Sequence, residues 1–336
     1  PSYGGRKPAL FGIKPNARYL LGIKVGQNSS QVAVFNMKNE LCSDIHTFDR
    51  PLQSTIDFID QLSDFSNEIY IKKVSEPEKL LGIGLAIPGL TDPEKGISHS
   101  YFRDLDDSVQ QLFESRFSHP VFMDNDARVM TLGELEFGAA RKKSHVLCLN
   151  IGSGIGMGII LDGRLYRGNS GFAGEFGHIK MIEDGELCIC GKRGCLETVA
   201  SGRALEKKAR KEISAGKISG IRSMIDTADE ITVNTVIKAA RQGDQYSIDL
   251  LQELGEYLGR GLAMLIHIFN PEAIIIGGQL AKADQFIIDP IQQSLNRYTI
   301  PQIKTDTLIT TSGLGEQAAV WGAMALAMRN IFDDVA

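Results

Sequence analysis

The chain has little of what marks several protein classes. Lys and Arg total 36 against 41 Asp and Glu, a formal charge of −5, and no Lys/Arg-rich block stands out. A strongly basic nucleic-acid binder is thereby excluded, and any DNA-reading segment is expected to lie elsewhere. No uninterrupted apolar run reaches the roughly 18 residues of a membrane span, so no transmembrane helix and no membrane partner are expected. The first residues lack the apolar core and cleavage pattern of a signal peptide. There is no low-complexity tract and no short-period repeat. Only five cysteines occur in 336 residues, which excludes a disulfide-stapled mini-domain. What remains is an ordinary globular composition, 43% hydrophobic, at a length that suggests two domains.

Hydrophobic periodicity gives the organisation. Residues 18–48 alternate in short β-rich runs, Tyr19–Val25, Gln31–Phe35 and a third after the turn at Lys38-Asn39, which reads as an antiparallel meander. From Ser54, a plausible N-cap, the period changes, and Ile56, Ile59, Leu62, Phe65 and Ile69 mark one face of a helix. Leu80–Ile87 is a continuous apolar run closed by Pro88-Gly89, as expected of a buried strand. A second strand–turn–strand unit spans Val146–Asn150 and Gly156–Leu161, with a turn at Asp162-Gly163. Helical patterns near Leu250–Phe269, a buried strand Ala273–Ile276 and a final helix near Gln317–Arg329 follow. The same pattern thus occurs twice, predicting an α/β protein of two similarly built lobes with a cleft between them.

Three of the five cysteines, Cys188, Cys190 and Cys195, fall within eight positions. Such crowding in a Cys-poor chain reads as metal ligation in a reducing compartment, and the cytoplasm is the expected location. Gly191 and Gly194 permit the turns that would aim three thiolates at one centre. Zinc prefers four tetrahedral N/S ligands, and His178, one of six histidines, is the nearest candidate for the fourth. A closed Cys₃His set would be structural, with no open position for a bound water. The alternative is three thiols without a metal.

At this point the sequence resembles the ROK family of repressors, open reading frames and sugar kinases. The resemblance rests on Gly168 to His178 with its Gly174-Glu175-x-Gly177-His178 core, the Cys188–Cys195 loop followed by Glu197, Ile87-Pro88-Gly89, Asp124 to Ala127, and Asn150 to Gly156. It extends over nearly the whole chain and implies the actin/hexokinase-like ATPase fold, two RNase H-like α/β lobes with a cleft. It divides the chain into a linker at 1–17, an N-terminal lobe at 18–135 and a C-terminal lobe at 136–315. The helix at about 316–331 would pack on the first lobe, and the second would carry the zinc loop and an oligomerisation surface. The resemblance places Gly89, Asn125, Asp126, Glu175, His178 and Glu197 around one hexose, with His178 both ligating zinc and facing the sugar. In the family's kinases the residue matching Asp126 is the general base on the attacking hydroxyl. Taken alone, Asn125-Asp126 after a strand is a turn or helix cap, and Glu175 and Glu197 are surface charges.

The nucleotide side departs from the family pattern. A first phosphate loop of the form Asp-x-Gly-Gly-Thr is replaced by Lys24-Val25-Gly26-Gln27-Asn28, reversing a charge beside the Mg²⁺ position and keeping only Gly26. The second loop, Gly152-Ser153-Gly154 onward to Gly158, is better preserved, and Gly277-Gly278 sits where the family places adenosine contacts. On their own residues these are equally a glycine-rich hairpin packing closely on a helix and a strand-to-helix turn. About twenty residues precede the first strand and resemble the connector after the winged helix-turn-helix of the family's repressors. The expected function is the sugar-sensing effector region of a bacterial transcriptional repressor, binding a sugar or sugar phosphate as a homodimer or dimer of dimers. DNA would be reached only through a helix-turn-helix absent from this chain. The alternatives are an ATP-dependent hexose kinase, with MgATP as cofactor and Asp126 as base, and an interaction module without turnover.

Overall fold

The computed structural model describes residues 12–103, 105 and 108–332. Of the linker expected at 1–17, the part up to Phe11 lies outside the described residues. The remainder includes a 3₁₀ turn at Pro15–Ala17, tied to the first sheet by Met37 N–H donating to the Pro15 carbonyl at 3.0 Å.

Two five-stranded sheets share one strand order. In the first, β1 (Tyr19–Lys24), β2 (Ser30–Asn36) and β3 (His46–Phe48) form the expected antiparallel meander, while β4 (Leu80–Ile87) and β7 (Val121–Asn125) continue parallel to β1, giving β3-β2-β1-β4-β7. A small hairpin of β5 (Thr91–Asp92) and β6 (Ile97–Ser98) intervenes. In the second sheet, β8 (Val146–Ile151), β9 (Ile155–Leu161) and β10 (Arg164–Tyr166) form the meander, with β11 (Ala273–Gly277) and β12 (Leu308–Thr311) parallel to β8. The pattern that repeats in the sequence is therefore a repeated fold, the duplicated α/β arrangement of actin/hexokinase-like ATPases.

The first sheet is covered by α1 (Ile56–Val74) and α2 (Val109–Phe117) on one side. Thr55, not Ser54, caps α1, its hydroxyl accepting from Phe58 N–H at 3.2 Å. Ser is the better cap by residue type, but the helix begins at Ile56, which puts the extended Thr55 at the cap position. The cap also places Ile56 in the first turn with its side chain in solvent, 46% exposed, while Ile59, Leu62 and Ile69 face the core as expected.

On the other side lies α10 (Ala318–Phe332), packed directly against backbone. A Cβ on Gly84 would stand 1.6 Å from the Ala323 carbonyl, so no larger residue lets α10 approach β4 this closely. Between α10 and β9 runs α3 (Asp126–Phe137), whose first residue opens onto the region between the sheets. The second sheet carries α4 (Glu197–Ala200), α5 (Gly202–Ser214), α6 (Val233–Arg241), α7 (Gln245–Phe269), α8 (Gln285–Tyr298) and α9 (Pro301–Lys304). Leu251, Leu258, Leu262, Ile266, Ile287 and Ile291 form the fully buried seam between α7 and α8.

Candidate functional site

Parallel pairing brings the carboxyl ends of β1, β4 and β7 to one level, with Lys24 opposite Ala86 and Ala86 opposite Asp124. Strand ends of this kind are where α/β sheets bind ligands. Asn125 and Asp126 leave β7 and start α3. Asn125 is indeed a helix cap: its Oδ1 accepts from Ala127 N–H at 3.0 Å and Arg128 N–H at 3.2 Å. Its amide donates to the Gly89 carbonyl at 2.8 Å and to Asp126 Oδ1 at 3.2 Å. All four hydrogen-bonding positions of the amide are thus used. Gly89 has φ +81°, which turns its carbonyl to Asn125, and a Cβ there would lie 2.5 Å from Ser100.

Asp126 joins the two halves. Its Oδ2 accepts from the Asn150 amide, at the end of β8, at 3.0 Å. Burial pushes its carboxyl up to about 6, against the opposing pull of the Lys24 charge, the N–H of Ala127 at the helix start and the Arg128 charge. Because the native state then binds this proton more tightly than the unfolded chain, the ionised form costs stability that is absent below pH about 4 and fully present above pH about 6. Asp126→Asn is expected to stabilise the ligand-free protein by about 1–2 kcal/mol at pH 8 and about half as much at pH 5. Urea midpoints at the two pH values check this, and an equal shift at both would exclude the carboxyl charge as its cause.

Beneath this pair lies a buried cluster that the sequence reading missed. Asp124 is fully buried, and its Oδ1 accepts from Arg128 Nε at 2.6 Å and from Asn125 N–H at 2.7 Å. Its Oδ2 accepts from Arg167 Nε at 2.9 Å, reaching over from the end of β10. Arg128, 2% exposed, also donates to Thr91 Oγ1 at 3.0 Å.

The opposite wall comes from the second half. Glu175 and His178 flank a single 3₁₀ turn at Phe176–His178, with His178 Nε2 at 3.8 Å from Glu175 Oε2. Burial raises the Glu175 carboxyl, the Glu197 charge adds to this, and the His178 and Arg128 charges oppose it. Glu175, His178, Glu197 and Arg128 therefore sit within electrostatic reach of one another. Glu197, first residue of α4, accepts from Ile155 N–H at 2.9 Å, and the absent side chain of Gly154 leaves room for its carboxylate.

His178 turns its other nitrogen away from Glu175: Nδ1 lies 3.5 Å from Cys188 Sγ. Cys190 Sγ and Cys195 Sγ are 3.6 Å apart, and all four candidate ligand atoms lie within 4.8 Å of one another. With Zn–S near 2.3 Å and Zn–N near 2.0 Å, the edges of a tetrahedral site are about 3.8 Å and about 3.5 Å, so these residues fit the metal. The loop is a short hairpin, with Cys188 N–H donating to the Lys192 carbonyl at 2.7 Å and Gly194 N–H to the Glu186 carbonyl at 2.9 Å. Burial and the neighbouring sulfurs hold the Cys195 thiol up at about 12, so a bound cation has protons to displace.

The nucleotide-side glycines have packing work. Gly156 and Gly158 bring β9 against α3, where a Cβ would stand 2.6 Å from Ala127 Cβ and 2.0 Å from Thr131 Oγ1. The Gly152 carbonyl accepts from Gly202 N–H at 2.8 Å, and Ser153 is half-buried at the loop tip. Gly277 leaves room for Met130, and Gly278, at φ +77°, lies against Ile151 and Asn150. In the first loop Gly26 makes a tight turn over Ser29, and Gln27 spans outward: Nε2 donates to Tyr101 Oη at 3.2 Å, and Oε1 accepts from Arg203 at 3.1 Å. A separate surface cavity of about 420 Å³, lined by Glu136, Phe137, Arg164, Met324 and Met328, includes none of these residues.

The ROK family profile matches residues 20–330. The xylose repressor of Bacillus spizizenii is 30% identical over 99% of this chain and 83% of its own length. A crystal structure of a ROK family transcriptional regulator, homologous to the E. coli MLC protein, superposes with TM-score 0.80 at 29% identity, covering 93% of this chain and 78% of the regulator. A ROK family glucokinase from Streptomyces griseus, in complex with glucose and AMPPNP, superposes with TM-score 0.79 at 30% identity, covering 93% and 99%. The chain is thus similar to both a regulator and a kinase.

Proposed function

The chain belongs to the ROK family, and from that premise we propose that it is the sugar-sensing effector region of a bacterial transcriptional regulator. The observation that carries this reading is the Gln27 side chain. Gln27 stands in the first phosphate loop and is bonded to Arg203, whose neighbour Gly202 is bonded to Gly152 of the second. The Gln27–Arg203 side-chain bond and the Gly202–Gly152 backbone bond thus link the two segments between which a nucleotide's phosphates would pass. Lys24 adds to the argument, since a cation at the end of β1 opposes Mg²⁺ where a kinase needs an acid.

The sugar ring lies between Asn125 and Asp126 on one wall and Glu175, His178 and Glu197 on the other, with Gly89 holding Asn125 in place. Buried polar groups of this kind discriminate between sugars, because a wrong epimer leaves them unpaired. Cys188, Cys190, Cys195 and His178 Nδ1 hold a structural zinc, which when bound cross-links the hairpin to the turn that carries Glu175. With four protein ligands the metal offers no open position, and Nε2 of His178 remains free for the sugar. The lobes are residues 18–135 and 136–315, and sugar bound between them favours one lobe arrangement by its higher affinity for it. In a cytoplasmic homodimer or dimer of dimers, that arrangement sets the spacing of DNA-reading segments outside this chain.

The test is a calorimetric panel of glucose, N-acetylglucosamine, N-acetylmannosamine, xylose and their phosphates, with and without MgATP. Saturable binding heat that MgATP leaves unchanged is the expected result. Sustained heat that needs MgATP and vanishes in Asp126→Asn would establish the kinase instead.

A further inference from the structure

The two walls of the proposed sugar site belong to different sheets, so their spacing depends on what ties the halves together beside it. Asn125 and Asp126 are fixed to the first half by the cluster around Asp124, which is fully buried and held by Arg128 and the Asn125 N–H. Glu175 stands at the end of a loop that leaves β10 at Arg167. Gly168 and Gly171 take φ of +75° and +80° in this loop, and Asn169 and Ser170 between them are exposed. Ala173 N–H donates to the Arg167 carbonyl at 3.0 Å, so the loop closes on itself and its end, two residues before Glu175, is fastened to Arg167. The Arg167 side chain crosses to the first half, where its Nε donates to Asp124 Oδ2 at 2.9 Å. A second contact accompanies the crossing: the Phe172 ring meets the His99 ring edge-on, with centroids 5.6 Å apart. His99 N–H donates to the Leu90 carbonyl at 2.7 Å, so this contact reaches the segment that begins at Gly89.

We propose that Arg167 is a positioning residue for sugar recognition: by gripping Asp124 it holds the loop that carries Glu175 at a set distance from Asn125 and Asp126. This deepens the sugar-sensor reading and rests on it. The lever is short on both sides. Asp124 directly precedes Asn125 in the chain, and the Ala173 bond reduces the path from Arg167 to Glu175 to two residues. The post that Arg167 grips does not move, because a buried carboxylate with three donors has nowhere else to turn. The Arg167 side chain itself is 40% exposed, so its pair is partly screened and adds little to folding stability. Its work lies in geometry, since a binding site loosened by a fraction of an ångström loses affinity without unfolding.

The experiment titrates the full chain calorimetrically with glucose, N-acetylglucosamine, N-acetylmannosamine, xylose and their phosphates, then repeats the tightest binder with each variant. Arg167→Met is expected to weaken it by about tenfold, with a melting temperature within about 4 °C of the parent. Arg167→Lys should stay within about threefold, because the bond to Asp124 is a single one that an ammonium can replace. In a Glu175→Ala background, Arg167→Met should weaken binding by no more than about twofold, since the group it positions is gone. In the sugar-free protein, amide hydrogen exchange across 168–174 should quicken by about tenfold in Arg167→Met and stay unchanged in β8 and β11. If Arg167→Met binds as tightly as the parent, or loses the same factor with and without Glu175→Ala, the assignment falls and the sensor reading stands. Arg167→Lys as weak as Arg167→Met, or loop exchange that does not change, also overturns the assignment alone. If nothing in the panel binds the parent protein, the sensor reading falls and takes the assignment with it.

Discussion

Arg128→Met is expected to cost about 3–5 kcal/mol of folding stability, the effect of removing one partner from a buried ion pair. The physical reason is Asp124, which is fully buried and cannot be rehydrated in place. Without Arg128 it retains the backbone N–H of Asn125 and the single bond from Arg167, whose side chain is 40% exposed. Thr91 loses a donor at the same time. Two comparisons separate charge from packing. Arg167→Met should cost about 1 kcal/mol, because the inner pair survives and the outer one is partly screened. The double variant Asp124→Asn, Arg128→Met should be more stable than Arg128→Met alone, since the uncompensated charge has gone. Urea unfolding at pH 7 reads all three, and an Arg128→Met protein within 1 kcal/mol of the parent would show that the pair does not hold the fold. Asn125 and Asp126 follow Asp124 directly in the chain, so loosening this cluster shifts the groups proposed to meet the sugar as well.

That cluster also shows where sequence reading stopped. Asp124 and Arg128 are four apart across the start of a helix, a spacing that on most helices is an exposed pair. Only the β5–β6 hairpin, through Thr91, and Arg167 after β10 close over it and make it central. Arg167 lies 43 positions further on, and no local pattern ties it to Asp124. Asn150 was legible as part of a glycine loop, but its bond to Asp126 depends on how two sheets are placed, which periodicity does not encode. The duplication was legible because each half joins an antiparallel meander to buried strands with a different hydrophobic period, whereas the strand order came only with the structure. Leu80–Ile87 and the Cys188–Cys195 loop were legible because an apolar run and three close thiols have few alternative uses. Gly152 to Gly158 stayed ambiguous for the opposite reason: the same small residues serve phosphate approach and strand–helix contact. Here Gly156 and Gly158 serve the second.

Cys190→Ala should release the metal, and it isolates the metal's contribution better than any other change at the site. Cys190 is the exposed ligand, whereas Cys188 and Cys195 are buried, so truncating it opens no cavity in the core. The parent protein is expected to carry about one zinc per chain by elemental analysis, and the variant almost none. Apart from the metal the hairpin is held by short-range backbone bonds, among them Cys188 N–H to the Lys192 carbonyl and Met181 N–H to the Gly194 carbonyl, and its surface leaves Leu187 and Ile189 64% and 74% exposed. Binding energy at such a site is largely folding energy, so the metal-free segment 180–195 should become the first point of proteolysis while both sheets persist. Sugar affinity should fall by about tenfold, because His178 Nδ1 loses the bond that keeps Nε2 directed at Glu175. Substituting His178 itself cannot show this, since it would remove the proposed metal ligand and the proposed sugar contact together. Unchanged sugar affinity in a folded, zinc-free Cys190→Ala protein would separate the metal from recognition, leaving it only the work of holding the hairpin.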